Sequence, residues 1–156
     1  MRDAMIQTKR LNIYPASNEK LKWLIENETY PQLRQAYEEI LGNCLSHPQE
    51  KIWYALWLME LPSDKKIVGS ICFKGIDKNG AIEIGYGTNK KYQGNGYMSE
   101  AVSAIVDWLS NQKEVLQIEA ETDFDNIASQ KILKKCGFVQ DKIMGKEGLR
   151  FIRTCL

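Results

Sequence analysis

The stretch that decides the fold reads Tyr86-Gly87-Thr88-Asn89-Lys90-Lys91-Tyr92-Gln93-Gly94-Asn95-Gly96-Tyr97-Met98. It lies between a segment with the period of a strand and a segment with the period of a helix. Its glycines let the backbone turn sharply and leave amide N–H groups uncovered by side chains. The first turn of the following helix adds free N–H donors and the positive end of the helix dipole. Together these features predict a backbone cradle for an anion such as a pyrophosphate, with Lys90 and Lys91 close by.

The flanks of this stretch define its structural context. Apolar residues alternate with polar residues or glycines over residues 82–87, which predicts a strand with two different faces. After the glycines, an apolar stripe with helical spacing runs through Met98, Val102, Ile105 and Leu109. Alternation resumes over residues 116–121 and predicts another strand. A strand, a helix and a strand in this order predict a crossover connection, and hence a parallel pair of strands.

The remaining segments complete a mixed pattern. We expect strands at Gln7–Tyr14, Ile52–Met59, Ile67–Phe73, Phe138–Ile143 and Leu149–Cys155, and helices that begin after Ser17, near Pro31 and after Asp125-Asn126. The last of these helices is expected to run through Cys136 and to end at Gly137. The whole order predicts an α/β (α+β) architecture, with a mixed central sheet of about seven strands and four helices.

Length, charge and cysteine content narrow the class of protein. The chain has 156 residues, a formal net charge of +1 and four scattered cysteines, so we expect a single domain over residues 1–156. The balanced charge provides no overall attraction to nucleic acid. The longest apolar run is too short to span a membrane, and the N-terminus has no signal-peptide pattern. Reduced thiols then suit a cytoplasmic protein.

Metal binding has little support in the sequence. His47 is the only histidine, and no two cysteines form a CxxC pair. A tetrahedral zinc site therefore needs ligands from distant parts of the chain, and we expect no metal.

The pair Gly94-x-Gly96 is a weak motif when taken alone. No Gly-Lys-Ser/Thr of a Walker A loop follows it, and the full GxGxxG of a dinucleotide fold is absent. An ordinary glycine-rich loop before a helix explains the pair equally well.

A longer set of motifs resembles one family. Residues 93–98 resemble the acetyltransferase signature Gln/Arg-x-x-Gly-x-Gly/Ala, with Met98 in place of the small last residue. Further motifs follow in order: Ile82-Glu83-Ile84-Gly85-Tyr86, Gly96-Tyr97, Ser99-Glu100-Ala101, Asp125-Asn126-Ile127-Ala128-Ser129 and Leu133-Lys134-Lys135-Cys136-Gly137-Phe138. This string resembles the branch of the GNAT superfamily of N-acetyltransferases that includes the ribosomal-protein N-terminal acetyltransferases. A start like Thr8-Lys9-Arg10-Leu11 also fits that branch.

The resemblance implies a GNAT fold whose parallel strands flank a cleft for acetyl-coenzyme A. The residues expected to bind this cosubstrate are Tyr86, Gly87, Thr88, Gln93, Gly94, Asn95, Gly96, Tyr97, Met98, Ser99, Asn126, Ser129 and Lys135. Several of them also have ordinary structural explanations. Tyr97 is explained equally by a place in the core. Asn126 is a natural helix cap, and Lys135 belongs to a set of lysines that solvent can cover.

The same resemblance implies attack of an amine on a thioester. An aliphatic amine has a pKa of about 10, so a base must remove a proton before attack. Glu83 is the first candidate for this base, and Glu121 on the next strand is the reserve. A solvated charge on a half-exposed strand explains Glu83 about equally well.

The other catalytic groups follow from the family pattern. A backbone N–H near the end of the strand that bears Glu83, at Gly87 or Thr88, is expected to stabilise the developing oxyanion. Many relatives protonate the leaving thiolate with a tyrosine four residues before the final glycine, where this chain has Leu133. Ser129 or a water can take that role, although a Ser129 hydroxyl bonded to the backbone is an equally ordinary interpretation.

Three functions are compatible with these observations. The first is an acetyl-coenzyme A-dependent N-acetyltransferase that acts on an unidentified primary amine, either a protein N-terminus or a small molecule. The second is a non-catalytic module that binds or senses acyl-coenzyme A, and the third is a nucleic-acid binding module, which the balanced charge disfavours. No nucleic-acid or membrane partner is expected, whereas a homodimer is possible because relatives commonly form one.

Overall fold

The computed structural model describes residues 4–155, and all statements about the structure concern these residues. The helices are α1 (Asn18–Asn27), α2 (Pro31–Ser46), α3 (Tyr97–Ser110) and α4 (Ile127–Lys135). The strands are β1 (Ile6–Gln7), β2 (Asn12–Pro15), β3 (Leu56–Glu60), β4 (Ile67–Ile76), β5 (Ala81–Thr88), β6 (Gln117–Thr122), β7 (Val139–Gln140) and β8 (Leu149–Thr154). Two short 3-10 helices lie at Lys51–Tyr54 and Lys90–Tyr92.

The strands form one mixed sheet in the order β1-β2-β3-β4-β5-β6-β8-β7. Neighbouring strands are antiparallel except for β5 and β6, which are parallel and connected by α3. The predicted mixed sheet, the four helices and the parallel pair are therefore confirmed. The sheet has eight strands rather than about seven, because the N-terminal segment contributes two.

The prediction of one strand over Gln7–Tyr14 is wrong. Thr8 and Leu11 close a turn between β1 and β2, with the Thr8 amide donating to the Leu11 carbonyl at 2.8 Å and the Leu11 amide donating to Thr8 Oγ1 at 3.0 Å. The turn buries Leu11 completely. Pro15 is the last residue of β2 rather than a residue beyond its end.

The strand predicted at Ile52–Met59 begins too early. The Trp53 amide donates to the Glu50 carbonyl at 3.0 Å, which closes a 3-10 turn, and the buried Trp53 ring packs 6.2 Å from the ring of Trp108. The tertiary contact of this aromatic side chain thus favours a helical turn, and β3 starts at Leu56.

The strand predicted at Phe138–Ile143 is also shorter than expected. Only Val139 and Gln140 pair with β8, after which the Asp141 amide donates to the Arg150 carbonyl at 2.8 Å. The chain then leaves the sheet and forms a loop over residues 141–148. This loop lies over Glu121, because the Glu147 amide donates to Glu121 Oε2 at 2.7 Å.

The two faces of the sheet have different coverings, and this decides where the side chains of β5 lie. Ile82 and Ile84 are fully buried in the larger core, together with α3 and α4. The opposite face carries Leu56 and Leu58, which pack with residues of α1 and α2 in a second core. Glu83 lies on this second face, so the predicted two-faced strand is confirmed.

No helix among residues 4–155 combines the length and the apolar character that crossing a bilayer requires.

Candidate active site

The parallel strands β5 and β6 separate at one end of the sheet. Their pairing runs from Ala81 opposite Gln117 to Ile84 opposite Ala120. Beyond that point β5 continues to Thr88 along β4, while β6 continues to Thr122 along β8. The backbones of the two strands therefore diverge at their carboxyl ends and form the two sides of an opening.

The glycine-rich loop follows β5 directly and leads into α3 at this opening. Gly94 and Gly96 have φ angles of 81° and 79°, the left-handed region that favours glycine. Gly96 is the N-cap of α3 and provides no side-chain cap. The first bond within the helix is donated by the Glu100 amide to the Gly96 carbonyl, so the amides of Tyr97, Met98 and Ser99 form the uncapped end of the helix.

Met98 does not obstruct this end of the helix. Its side chain is 6% exposed and belongs to the core below α3. The departure from the small residue of the family signature is thus accommodated inside the protein.

Two polar side chains of the loop are used to brace it. Asn95 Nδ2 donates to the Tyr92 carbonyl at 3.0 Å, and Gln93 Nε2 donates to the Thr88 carbonyl at 3.3 Å. Gln93 and Asn95 therefore lie in the loop before α3, and the hydrogen bond from Gln93 links this loop to Thr88, the last residue of β5.

Arg10 lies at the same helix end, and sequence reasoning missed it as a site residue. Its Nη1 donates to the Asn95 carbonyl at 2.9 Å, and its guanidinium stacks 4.5 Å from the centre of the Tyr97 ring. Its Nε donates to Glu100 Oε1 at 2.8 Å. The segment Thr8-Lys9-Arg10-Leu11 was the available signal, but the sequence could not show that β1–β2 packs against the start of α3.

Glu100 holds Arg10 and the β1–β2 turn in place. Its Oε2 accepts from Thr8 Oγ1 at 2.5 Å and from the Arg10 amide at 2.9 Å. Burial acts to raise the pKa of Glu100, but these hydrogen bonds and the Arg10 guanidinium outweigh it, so its pKa is lowered. Glu100 is therefore stabilised as a carboxylate in the folded protein.

Tyr86 and Ser129 meet across the opening. Tyr86 is on the part of β5 that has separated from β6, and its hydroxyl lies 2.7 Å from Ser129 Oγ and 3.3 Å from the Ser129 carbonyl oxygen. Asn126 is the predicted cap of α4, and its Oδ1 accepts from the Ser129 amide at 3.1 Å. The Ser129 hydroxyl thus bonds to a tyrosine rather than to the backbone of its own helix.

Glu83 lies on the other face of the sheet, between two cations. Its Oε1 accepts from Arg150 Nη2 at 3.1 Å, and its Oε2 accepts from Lys74 Nζ at 3.1 Å. Arg150 also binds the two carboxylates of β6, with distances of 2.8 Å to Glu119 Oε1 and 2.8 Å to Glu121 Oε1. The first and the reserve candidate for the base are therefore joined through one guanidinium.

Arg150, Glu119 and Lys74 were not identified from the sequence. Each occupies a position that alternates with apolar residues on its strand, which is the available signal. Their assembly depends on how β8 and β6 pair, with Arg150 opposite Glu121. The hydrogen bond from Arg150 and the one from the Glu147 amide lower the pKa of Glu121.

Three further residues that the sequence analysis considered, Gly87, Leu133 and Lys135, differ in their position relative to the Tyr86–Ser129 contact. Gly87 is on the separated part of β5 and pairs with Ser70 of β4. Leu133 is one turn after Ser129 in α4 and is fully buried. Lys135 ends α4, about 9 Å along the helix axis from Ser129, so it does not belong to the Tyr86–Ser129 cluster.

Two grooves open on the surface near β5. One of about 280 Å³ lies beside Glu83 and is also lined by Tyr54, Lys74 and Glu119. A larger one of about 680 Å³ lies at the turn Asp77–Gly80 and the residues before β6. Both grooves reach the end of the sheet where β5 begins, because Ile76 and Asp77 line both of them. Only the smaller of the two is lined by Glu83, so it is the candidate for a substrate that reaches this residue.

Known proteins resemble this chain in sequence and in fold. Residues 10–139 match the family model described as acetyltransferase (GNAT) domain. The chain is 39% identical over 84 residues to the uncharacterized N-acetyltransferase YjdG of Bacillus subtilis (strain 168), which covers 53% of this chain and 50% of that protein. It is 28% identical over 122 residues to the ribosomal-protein-serine acetyltransferase of Escherichia coli (strain K12), which covers 75% of this chain and 66% of that protein. The chain thus spans about half to two thirds of the length of these relatives.

One solved structure shows the same fold over nearly the whole chain. It is RimL, a ribosomal L7/L12 alpha-N-protein acetyltransferase in complex with coenzyme A, with a TM-score of 0.74 and 18% sequence identity. The match covers 97% of this chain and 98% of that chain.

Proposed function

The chain belongs to the acetyltransferase (GNAT) family, and from this premise we propose that it transfers the acetyl group of acetyl-coenzyme A to a primary amine. The observation that carries the proposal is the uncapped end of α3 beside the opening between β5 and β6. A helix end of this kind favours a phosphate, and the separated strands leave room for an extended chain next to it. The family match over residues 10–139 confirms the resemblance stated from the sequence.

The residues at this end fit coenzyme A. The amides of Tyr97, Met98 and Ser99 supply donors for the pyrophosphate, and the Arg10 guanidinium, which is paired with Glu100, offers further N–H donors beside them. A Cβ placed on Gly94 has no heavy atom within 4 Å, so the outer side of the loop is open. Tyr86, Asn126 and Ser129 then line the opening where the rest of the molecule lies.

The proposed reaction needs a proton acceptor near the amine. Acetyl-coenzyme A, when bound, supplies an acetyl group on a thioester that an unprotonated amine can attack. Glu83 is the proposed acceptor of the amine proton, directly or through a water. Each oxygen of an ionised carboxylate can accept more than one hydrogen bond, so the ion pairs with Lys74 and Arg150 leave capacity for that proton.

Two further groups of this chain are proposed to act on the reacting atoms. A backbone amide at Gly87 or Thr88 stabilises negative charge on the carbonyl oxygen. Ser129 donates a hydrogen bond to the sulfur that accepts the electron pair of the broken C–S bond. Leu133 has no polar atom in its side chain and cannot take this role.

The acceptor is proposed to be an amine that carries a positive charge in solution, before it binds and loses its proton. The side chains Glu83, Glu119, Glu121, Lys74 and Arg150 carry a net negative charge around the groove next to Glu83, which favours an ammonium group. One relative is named as acting on a serine of a ribosomal protein, so a protein N-terminus is the first acceptor to test. A cytoplasmic location and a homodimer remain predictions.

A thiol-release assay tests the proposal. Acetyl-coenzyme A is incubated with the protein and a panel of amines: peptides with a free N-terminal serine or alanine, a polyamine and an aminoglycoside. We expect amine-dependent release of coenzyme A for at least one acceptor. Saturable binding of acetyl-coenzyme A with no release for any of them would instead support the non-catalytic binding module.

A further inference from the structure

The hydrogen bond between Tyr86 and Ser129 joins β5 to α4 at the opening where the two parallel strands have separated. Pairing of β5 with β6 ends at Ile84, two residues before Tyr86. Ser129 is 8% exposed, and the distance between its Oγ and the Tyr86 hydroxyl oxygen is 2.7 Å. Both groups are thus held at the place that the proposed function gives to the thioester.

Ser129 is the only hydroxyl-bearing residue of α4. The helix sequence is Ile-Ala-Ser-Gln-Lys-Ile-Leu-Lys-Lys, and the next residue on the same face, Leu133, is fully buried. Ser129 is therefore the hydroxyl of α4 that can donate a hydrogen bond to the leaving sulfur. Its direction depends on what else the Ser129 hydroxyl bonds to.

Tyr86 can fix that direction. A serine hydroxyl has one hydrogen and two lone pairs. The phenol has one hydrogen and two acceptors within reach, Ser129 Oγ at 2.7 Å and the Ser129 carbonyl oxygen at 3.3 Å. When it donates to the nearer Oγ, the serine hydrogen is free to point elsewhere. Burial raises the pKa of Tyr86 to about 12, so the phenol keeps its proton at neutral pH and remains a donor.

We propose that Tyr86 is a positioning residue, whose phenol donates to Ser129 Oγ and directs the Ser129 hydrogen toward the sulfur that leaves during acetyl transfer. This inference rests on the proposed function. The amine nitrogen forms a bond to the acetyl carbon, the C–S bond breaks, and its electron pair stays on sulfur. The proton that Glu83 takes from the amine is released to solvent, and solvent returns one proton to the thiolate, so Tyr86 and Ser129 end the reaction unchanged.

Kinetics of three variants test the coupling: Tyr86→Phe, Ser129→Ala and the double variant, assayed with the best acceptor from the amine panel. Loss of one neutral hydrogen bond corresponds to a decrease in kcat of about tenfold for each single variant. Because Tyr86 acts through Ser129, the double variant is expected to match Ser129→Ala. A further decrease on adding Tyr86→Phe to Ser129→Ala would overturn the proposal.

A spectroscopic measurement gives a readout besides activity. The thiol of bound coenzyme A is titrated by its thiolate absorbance in the wild type and in each variant. A directed hydrogen bond to sulfur stabilises the thiolate, so Tyr86→Phe and Ser129→Ala are both expected to raise the pKa of the bound thiol. If the thiol of coenzyme A bound to Tyr86→Phe has the same pKa as in the wild type, the proposal is contradicted.

Tyr14→Phe is the matched control. Tyr14 also donates a hydrogen bond, at 2.8 Å to Glu60, and its pKa is likewise raised to about 12, but it lies on β2. We expect no change in the pKa of the bound coenzyme A thiol for this variant. Ser129→Thr keeps a hydroxyl and is expected to retain most of the coupling, which separates hydrogen bonding from a general loss of fold.

Failure of the proposed function is distinguishable from failure of this inference. If the wild type acetylates no amine, the proposed function fails. If the titration of bound coenzyme A responds to Ser129→Ala and not to Tyr86→Phe, the positioning role alone fails.

Discussion

Arg150 of β8 donates a hydrogen bond to Glu83 of β5 at 3.1 Å, although β6 lies between these two strands in the sheet. The same guanidinium binds Glu119 and Glu121 of the intervening strand. The candidate base is therefore held by a residue from the last strand of the chain. This arrangement fixes the orientation of the Glu83 carboxylate before any acceptor arrives.

Replacement of Glu83 by glutamine is expected to lower kcat by about 10² to 10⁴, the usual contribution of a general base. The affinity for coenzyme A is expected to stay nearly unchanged, because Glu83 lies on the face opposite the core of Ile82 and Ile84 and α3. Steady-state kinetics and calorimetry measure the two quantities. Asp107→Asn, on the exposed side of α3, is the control. Unchanged turnover in Glu83→Gln removes this residue from the mechanism.

Replacement of Arg150 by methionine is expected to lower the free energy of unfolding by about 2 kcal/mol, because charge-assisted hydrogen bonds to three carboxylates are lost. The Arg150 side chain is 20% exposed, so solvent compensates part of the loss. Chemical denaturation measures the change. Arg153→Met on the same strand removes one hydrogen bond to Ser110 and is expected to cost less. Equal losses in the two variants contradict the account of the cluster.

The pH dependence of stability follows from the lowered pKa values of Glu121 and Glu100. The pKa of Glu121 is lower in the folded protein than in the unfolded chain because Arg150 donates a hydrogen bond to it. Burial acts to raise the pKa of Glu100, but the hydrogen bonds from Thr8 and Arg10 outweigh this effect and lower it. Their stabilisation is complete above the unfolded value of about 4.3 and is lost as the pH falls through the folded value. We expect Glu121→Gln to flatten the decrease in unfolding free energy between neutral and acid pH. An identical pH profile in this variant argues against the assigned ion pair.

Replacement of Arg10 by methionine is expected to weaken coenzyme A binding by about tenfold and to reduce its dependence on salt. Arg10 braces the Asn95 carbonyl and offsets the negative charge of Glu100 in the first turn of α3, so its loss leaves that carboxylate unpaired near the phosphates. Calorimetry at two ionic strengths measures the effect. Lys9→Met removes an adjacent exposed charge and serves as the control. If both variants lose the same affinity, the role assigned to Arg10 is wrong and the effect is one of net charge.

The sequence was informative where local patterns determine structure. The alternation around Glu83, the glycines before α3 and the cap at Asn126 predicted the strand, the loop and the helix start that the structure shows. Each depends on residues within a few positions of one another. Family resemblance then placed Tyr86 and Ser129 near the same cosubstrate, but not in contact with each other.

The side-chain clusters could not be read from the sequence, because they depend on tertiary pairing. Arg150 reaches Glu83 only because β8 lies between β6 and β7, and no local pattern specifies that order. Arg10 reaches α3 only because Thr8 and Leu11 close a turn that a continuous strand pattern concealed. Trp53 likewise forms a helical turn because of its contact with Trp108, which lies far along the chain.

The most direct test of the central claim is calorimetry of coenzyme A with Ser99→Pro and Ser99→Ala. Proline removes one amide donor from the first turn of α3, where proline is tolerated, whereas alanine removes only the hydroxyl. We expect saturable binding to the wild type and to Ser99→Ala, and binding at least about tenfold weaker to Ser99→Pro with little change in Tm. No saturable heat with the wild type, or equal affinity in all three proteins, would contradict the claim that the amides at the start of α3 bind the pyrophosphate.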